Sequence, residues 1–460
     1  MNGSKSYQVA VIGSGAGGRE AAIRAARNGL RVVLIESDGL GGTSFHRGYY
    51  SVRAFRACVE VARDRSRKLI GPQIRPSQTD LPDWMSAQSR LSGRLARELQ
   101  ATLDKAGIDV LFGHASLADA NTIRVKSRSQ EPEFLHADYI VLATGSRPAF
   151  DGDTLGPKFV NIDQLLRRAN LPERLLIVGG GYIGCEMASI FRSLGSAVTL
   201  IEKGRLLADW DELISASIAR SLHSSGVHLH FGQEVDLQHP GGTNEEPSFP
   251  VGGGLSVSAD LVLVAIGRKP NVEDLGLENL KVKTTPFIRV DEFLRTSLPN
   301  VFAVGDVNGL GLMDSMAVAQ ARVAVDALLG KKTRFSQRWV PRCVHTDPQI
   351  ASVGWTEEEA ARAGLCAIAH TETLSLVTED QKSVFDPVQV TFKILVDAES
   401  KKILGVHAIG HHAAELANIA ALAIRSETTI EDLDEITFVH PSAAEAMQQC
   451  SANPHSLPAG

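Results

Sequence analysis

The chain has 460 residues, 43% of them hydrophobic and 22% charged, with a formal net charge of −6. That length is too great for one hydrophobic core and predicts roughly two to four domains. The slightly acidic balance gives no footing for nucleic acid or an anionic membrane as partner, and no run of about 18 apolar residues is there to span a bilayer.

The N-terminal MNGSKSYQVAVIGSG runs into an apolar strand with no signal-peptide pattern. Residues 7–37 then read as strand, glycine turn, helix and strand. Gly13, Gly15 and Gly18 make a G-x-G-x-x-G turn, an Ala-rich helix ends at Gly29, and the second strand closes on Glu36. Residues 174–203 repeat this plan with Gly179, Gly181, Gly184, Gly195 and Glu202. In both copies the first glycine lies 16 residues before the helix-end glycine and 23 before the glutamate. The first glycine permits the tight turn, the second lets backbone approach a pyrophosphate, and the third lets helix pack on strand. The phosphates sit at the helix N-terminus, and the acidic residue takes a ribose hydroxyl. Two complete copies predict two bound dinucleotides.

Between the copies, residues 41–53 read GGTSFHRGYYSVR and residues 138–148 read DYIVLATGSRP. Beyond the second copy, QHPGGTNEEPSFPVGGG (238–254) is a Gly/Pro-rich stretch expected as a surface loop or hairpin insertion. LVLVAIGRKPN (261–271) and NVFAVGDVNG (300–309) are apolar strands ending in small-residue turns. From about residue 340 the pattern changes to VHTDPQIASVGWTEEEA, KILGVHAIGHHAAELANIAALAIRS and FVHPSAAEAM. The five cysteines (Cys58, Cys185, Cys343, Cys366, Cys450) are scattered and without CxxC spacing, which argues for a reducing, cytoplasmic location and against a zinc site. His411 and His412 are adjacent and lack the i, i+4 spacing of a metal pair on one helix face, so no metal is expected. Cys450 is expected as a buried small hydrophobe.

Over nearly its full length the chain resembles the class I pyridine nucleotide–disulfide oxidoreductases, which include dihydrolipoamide dehydrogenase and mercuric reductase. The resemblance implies an α/β fold of two Rossmann-like dinucleotide-binding domains, for FAD and NAD(P), with an α+β C-terminal dimerisation domain. The implied boundaries are 1–150 and 272–338 for the two parts of the FAD domain, 151–271 for the NAD(P) domain and 339–460 for the interface domain. FAD would be held by Gly13, Gly15, Gly18, Glu36, Gly42, Thr43, Thr144, Gly145 and Asp306, the last bonding the ribityl chain. The nicotinamide nucleotide would be held by Gly179, Gly181, Gly184, Glu202 and Gly267. Glu202 favours NADH, since a carboxylate repels a 2′-phosphate, while Lys203 and Arg205 offer charge that would soften the repulsion and keep NADPH open.

The stretch 41–53 departs from the family where its chemistry lies. The family carries two cysteines and a lysine here; this chain carries Ser44, Tyr49 and Arg53. Neither hydroxyl forms a disulfide or relays two electrons through a mixed disulfide. Tyr49 either stacks on or hydrogen-bonds a group at the flavin, or fills the space that was vacated. Ser44 is expected as a solvated helix-start serine rather than a nucleophile, since no base is evident beside it. The family's lysine pairs with a glutamate matching Glu186, so an Arg53–Glu186 pair is expected. His46, Arg47 and Arg53 put basic character by the flavin, either to attract an anionic acceptor or to offset the FAD phosphates. His440 and Glu445 match the family's acid–base histidine and its orienting carboxylate, which serve the partner subunit's site in a homodimer; here the pair either still protonates an acceptor such as a quinone or is a helix-start remnant holding the dimer interface.

The functional expectation is an FAD-dependent NAD(P)H oxidoreductase that passes hydride from NADH to FAD and on to a diffusible, non-disulfide small-molecule acceptor such as a quinone. A soluble pyridine nucleotide transhydrogenase is the second reading. The third is a non-catalytic regulatory dimer that binds FAD or NADH.

Overall fold

The computed structural model describes residues 5–48, 50, 52–53, 56, 81–127, 131–152, 155–168, 170–237, 241–242, 247–251, 254–375, 389–440 and 442–452. They fall into two compact units. The first comprises residues 1–54, 82–149 and 268–337; the second comprises 55–81, 150–267 and 338–460.

The first unit is built on a seven-stranded sheet. Its parallel part pairs Lys5–Ile12 with Val32–Glu36 on one side and with Glu133–Leu142 on the other. Asp109–Phe112 extends it beyond Val32–Glu36, and Val301–Ala303 lies along Glu133–Leu142. The antiparallel strands Thr122–Lys126 and His114–Leu117 complete it. Alternate residues of the central strands enter different cores. Val9, Val11, Val32 and Leu34 pack with Ala21 and Ala25 of helix Ala16–Arg27, Leu103 of helix Leu81–Lys105 and Ala324 of helix Asp314–Leu328. Ala10, Ile12, Val33 and Ile35 pack with Ala115, Ile123 and Ile288. Burial on both faces explains why these strands read as unbroken apolar runs rather than alternating ones.

Among its described residues the second unit holds three sheets. Five parallel strands lie in the order His228–Phe231, Ala197–Glu202, Arg174–Val178, Leu261–Val264, Phe159–Val160. Five antiparallel strands lie in the order Arg342–Val344, Ile350–Gly354, Ile403–Gly410, Gln389–Asp397, Ala367–Ser375, backed by helix Ala413–Arg425. Residues expected as separate nucleotide and interface domains thus share one compact unit. The third sheet bears out the hairpin alternative for 238–254 and adds a buried side chain to it. Gly241–Gly242, Pro247–Val251 and Leu255–Ser258 pair antiparallel, and Phe249, 1% exposed, packs edge-on against Phe159 with ring centroids 5.6 Å apart. Alternation along Pro247–Val251 sends Phe249 and Val251 inward.

A buried charge cluster ties the parallel sheet's helix to the antiparallel sheet. Asp211 caps helix Glu212–Ser224 through Leu213 N–H and is 1% exposed. Lys393 Nζ donates to its two oxygens at 3.0 and 3.1 Å and also to Glu357. His407 is fully buried: Ser352 Oγ lies 2.6 Å from Nδ1, and the Trp355 carbonyl lies 3.0 Å from Nε2. A carbonyl only accepts, so Nε2 carries the proton and Nδ1 accepts from the serine, leaving the ring neutral. Burial pushes its pKa down to about 4, against the pull of Asp211.

Candidate active site

In the first unit, strand Lys5–Ile12 ends at Gly13, whose φ of +99° suits glycine, and a Cβ there would strike the Ala143 carbonyl. A Cβ on Gly18 would overlap the Gly13 carbonyl. Gly15 caps helix Ala16–Arg27 without any side-chain bond to the first amides, and a Cβ on it would meet nothing within 4 Å. Unpaired amides at a helix N-terminus, facing open space, fit a pyrophosphate. Glu36 is buried; its Oε2 accepts from Ser14 N–H at 2.9 Å and Ser14 Oγ–H at 2.6 Å, and its Oε1 from Asp38 N–H at 2.9 Å. Ser14 Oγ in turn accepts from Gly41 N–H at 2.9 Å, tying the glycine turn to the 41–53 stretch. Ser14 occupies a variable position of the glycine motif, so motif reading passed over it. Gly42 closes on the same turn: its Cβ would lie 3.0 Å from Gly15 Cα. Thr43 sits in helix Gly42–His46, its carbonyl accepting from Arg47 N–H at 2.8 Å.

The strand-end motifs meet in the same unit. Thr144 Oγ donates to the Asn271 carbonyl at 2.7 Å, and Asn271 returns bonds to the carbonyls of Thr144 and Gly145 at 2.8 and 3.0 Å. Ser146 Oγ donates to Asp306 at 2.5 Å, with Arg268 Nε 3.8 Å from the same oxygen. Burial raises the Asp306 pKa against the serine and the arginine.

Ser44 is not solvated. It is 5% exposed, and its hydroxyl donates to Asp314 Oδ1 at 2.7 Å. Asp314 opens helix Asp314–Leu328, where the helix field stabilises a carboxylate. A buried hydroxyl tied to an anion corrects the expectation of a wet helix-start serine. His46 Nε2 lies 2.9 Å from the Leu40 carbonyl, and Arg47 pairs with Asp38 at 3.5 Å, so both basic residues have local partners. Tyr49 lies outside the described residues; neighbouring Tyr50 packs edge-on to Phe45, centroids 5.3 Å apart.

In the second unit the glycine turn is repeated. Gly179 has φ +108°, and a Cβ on Gly184 would overlap its carbonyl. Gly181 caps helix Tyr182–Ser193 with no side-chain bond and open space beside it. Glu202 accepts from Gly180 N–H at 2.6 Å and Gly204 N–H at 2.9 Å. Gly267 has φ +121° and open space where a Cβ would stand. Both turns therefore fit dinucleotides.

Glu186, in helix Tyr182–Ser193, accepts from His345 N–H at 2.7 Å. Desolvation raises its pKa to about 7, opposed by that bond and by the charge of Arg56. Arg56 is 8% exposed, bonded to Ser189 at 3.1 Å and paired with Asp347 at 3.0 Å. Within this unit the cation acting on Glu186 is Arg56, which the sequence reading passed over; Arg53 is exposed in the first unit. His345 Nδ1 lies 3.0 Å from Gln349 Nε2, whose own oxygen accepts from Ala414 N–H at 3.0 Å. Gln349 therefore donates to the ring, and the neutral imidazole carries its proton on Nε2. His440 is 83% exposed at its side chain, with Nδ1 2.8 Å from Glu445 Oε1. Glu445 starts helix Glu445–Ala452 and also accepts from Ser442 N–H at 2.8 Å. Both bonds hold its pKa below the usual carboxylate value. Cys450 is fully buried as expected, its Sγ 3.1 Å from the His370 carbonyl and its pKa pushed up to about 12 by burial.

Two nucleotide turns, a half-buried aspartate in the turn after Val301–Ala303 and a histidine–glutamate pair before the last helix define a flavin- and nicotinamide-dependent oxidoreductase scaffold. Residues 7–327 match the pyridine nucleotide-disulphide oxidoreductase model, and residues 340–451 match that family's dimerisation domain. The chain is 32% identical to a dihydrolipoyl dehydrogenase of Chlorobaculum tepidum, covering 97% of this chain and 96% of the relative. It is also 32% identical to a soluble pyridine nucleotide transhydrogenase of Yersinia pestis, covering 97% of each. Among solved structures, the HOCl-induced flavoprotein disulfide reductase RclA from Escherichia coli matches with a TM-score of 0.81 at 26% identity, over 97% of this chain and 99% of that one. LpdA from Mycobacterium tuberculosis shares the fold with a TM-score of 0.86 at 24% identity, over 97% and 99% of the two chains. The chain belongs to the pyridine nucleotide–disulphide oxidoreductase family, whose members bind FAD and use NAD(P)H. No helix among the described residues is long and apolar enough to cross a membrane.

Proposed function

We propose that this protein oxidises NADH through FAD and delivers the electrons to a diffusible, non-disulfide acceptor such as a quinone, as a homodimer without a redox-active disulfide. The observation that carries the reading is Ser44, buried with its hydroxyl on Asp314 at 2.7 Å, where relatives of this family hold a redox thiol. The first cysteine of the chain is Cys58, well past this stretch. The net reaction is NADH plus a proton plus quinone, giving NAD⁺ and quinol.

Bound FAD supplies the acceptance of a hydride and its onward transfer as electrons. The chain's own groups bind, orient and move protons. Glu202 takes the adenosine ribose and the amides at Gly181 take the pyrophosphate, placing the nicotinamide nucleotide in a fixed register. The bond between Glu445 and His440 Nδ1 orients the ring, so that Nε2 holds the proton for the reduced acceptor. The dimerisation-domain match over 340–451 supports the homodimer, in which this pair would face the partner's site. Exposed Leu422, Ile436 and Val439 of the same segment are surface that pairing would cover.

The test is anaerobic titration of the FAD-loaded protein with NADH, followed by flavin absorbance. Full bleaching at about one equivalent, followed by reoxidation with a quinone but not with lipoamide, supports the reading. Uptake of a second equivalent overturns the single redox centre, and no bleaching overturns the enzymatic reading altogether. Equal reduction by NADPH would favour transhydrogenation, the activity named for the Yersinia relative.

A further inference from the structure

Glu202 offers its two oxygens to Gly180 N–H and Gly204 N–H, leaving its remaining lone pairs for a ribose diol. A 2′-phosphate at that place would meet this carboxylate, and accepting it takes a neighbouring arginine. An arginine is close by: Arg205 directly follows Gly204, which holds Glu202. It is engaged elsewhere. Its Nη1 and Nη2 donate to Glu358 Oε1 and Oε2 at 2.5 and 3.0 Å, and Nη2 also reaches the carbonyls of Ala208 and Trp210 at 3.0 Å each. A bidentate guanidinium–carboxylate fork fixes direction as well as charge. Lys203 is drawn off too, to Glu234 at 2.6 Å, but that pair is more than 70% exposed and holds loosely.

Glu358 is itself held in place. It lies in the helix Glu357–Arg362, whose N-terminus is fixed by a capping box between Thr356 and Glu359. The preceding Glu357 is anchored by Lys393, and its N–H donates to Asp211 at 3.3 Å. The helix turn that presents Glu358 is therefore fixed within the second unit, while the Glu358 side chain itself is 47% exposed.

We propose that Glu358 is a specificity-determining residue for the nicotinamide nucleotide: by engaging Arg205 it withholds from the Glu202 site the guanidinium that a 2′-phosphate needs, and so keeps the protein on NADH. This inference rests on the reading that Glu202 binds the nucleotide ribose. Glu358 touches no nucleotide; it acts through Arg205.

The experiment compares kcat/KM for NADH and NADPH in the FAD-loaded wild type, Glu358→Gln, and the double variant Glu358→Gln with Arg205→Gln. Released Arg205 should raise kcat/KM for NADPH about fivefold, the upper range for an ion pair at a wet surface, with NADH changed by less than about twofold. The gain should appear in KM, because the 2′-phosphate is remote from the transferred hydride. The double variant should lose the gain. An unchanged NADPH-to-NADH ratio in Glu358→Gln, or a gain that persists without Arg205, overturns the proposal. A wild type whose flavin NADH fails to reduce would instead overturn the underlying reading of the site.

Discussion

Replacing Lys393 by methionine should destabilise the second unit severely. Lys393 and Asp211 are 7% and 1% exposed at their side chains, and their ion pair is at 3.0 Å. At that distance and an effective dielectric of about 20, the gross attraction is roughly 5 kcal/mol. Most of it offsets the cost of taking both charges out of water, so the intact pair adds little. Methionine leaves Asp211 and Glu357 without their shared cation, and an uncompensated buried charge costs about 3–5 kcal/mol. At about 2–4 °C per kcal/mol for a unit of this size, Tm should fall by roughly 10 °C. The assay is thermal unfolding of wild type, Lys393→Met and Lys393→Met/Asp211→Asn. Asparagine keeps the helix cap and removes the orphaned charge, so the double variant should recover at least half of the loss. A Lys393→Met protein melting within about 2 °C of wild type, or a double variant no better than the single, would refute the claim that this cluster is desolvated.

Two desolvated groups, one fully and one partly buried, should give pH dependences of opposite sign. His407, with its pKa pushed down to about 4, stays neutral in the fold but protonates when unfolded, so its contribution is full above about pH 6.5 and declines toward pH 4. That slope is worth about 3 kcal/mol, and His407→Gln should flatten it in denaturant titrations across the range. Glu186, raised to about 7, is favoured neutral, so stability should decline as pH rises from about 4.5 through 7. Allowing for its partial exposure the loss is about 2 kcal/mol in FAD-free protein, and Glu186→Gln should be relatively more stable at pH 8 than at pH 5. Gly184→Ala forces a Cβ onto the Gly179 carbonyl and should raise KM for NADH while leaving the FAD content near wild type; parallel loss of FAD would show that the two turns are not independent.

Much of the site was legible in local spacing. A strand's two-residue period and a helix's 3.6-residue turn place Gly13, Gly15, Gly18 and Glu36 around one turn whatever else the chain does, and the same holds for Gly179, Gly181, Gly184 and Glu202. The pair His440 and Glu445, five residues apart at a helix start, was legible for the same reason. Reading failed where a residue's partner is remote. Ser44 finds Asp314 across 270 positions, and motif spacing cannot say whether a serine at a helix start faces water or a carboxylate. Arg56, whose charge acts on Glu186 within the second unit, stands outside every motif, so position in a pattern could not find it. Glycine and proline in 238–254 gave the loop-or-hairpin reading, and the strands pair as a hairpin, but composition could not say that Phe249 would be drawn into the core.

The sequence by itself determined that two dinucleotide turns exist and that no thiol stands at position 44 or 49, because composition and short-range periodicity settle both. Only the tertiary structure decided where charge goes: Ser44 onto Asp314, Arg56 toward Glu186, Arg205 onto Glu358, Lys393 between Asp211 and Glu357. Electrostatic partners depend on distance and burial in three dimensions. Neither is a property of neighbouring residues in the chain.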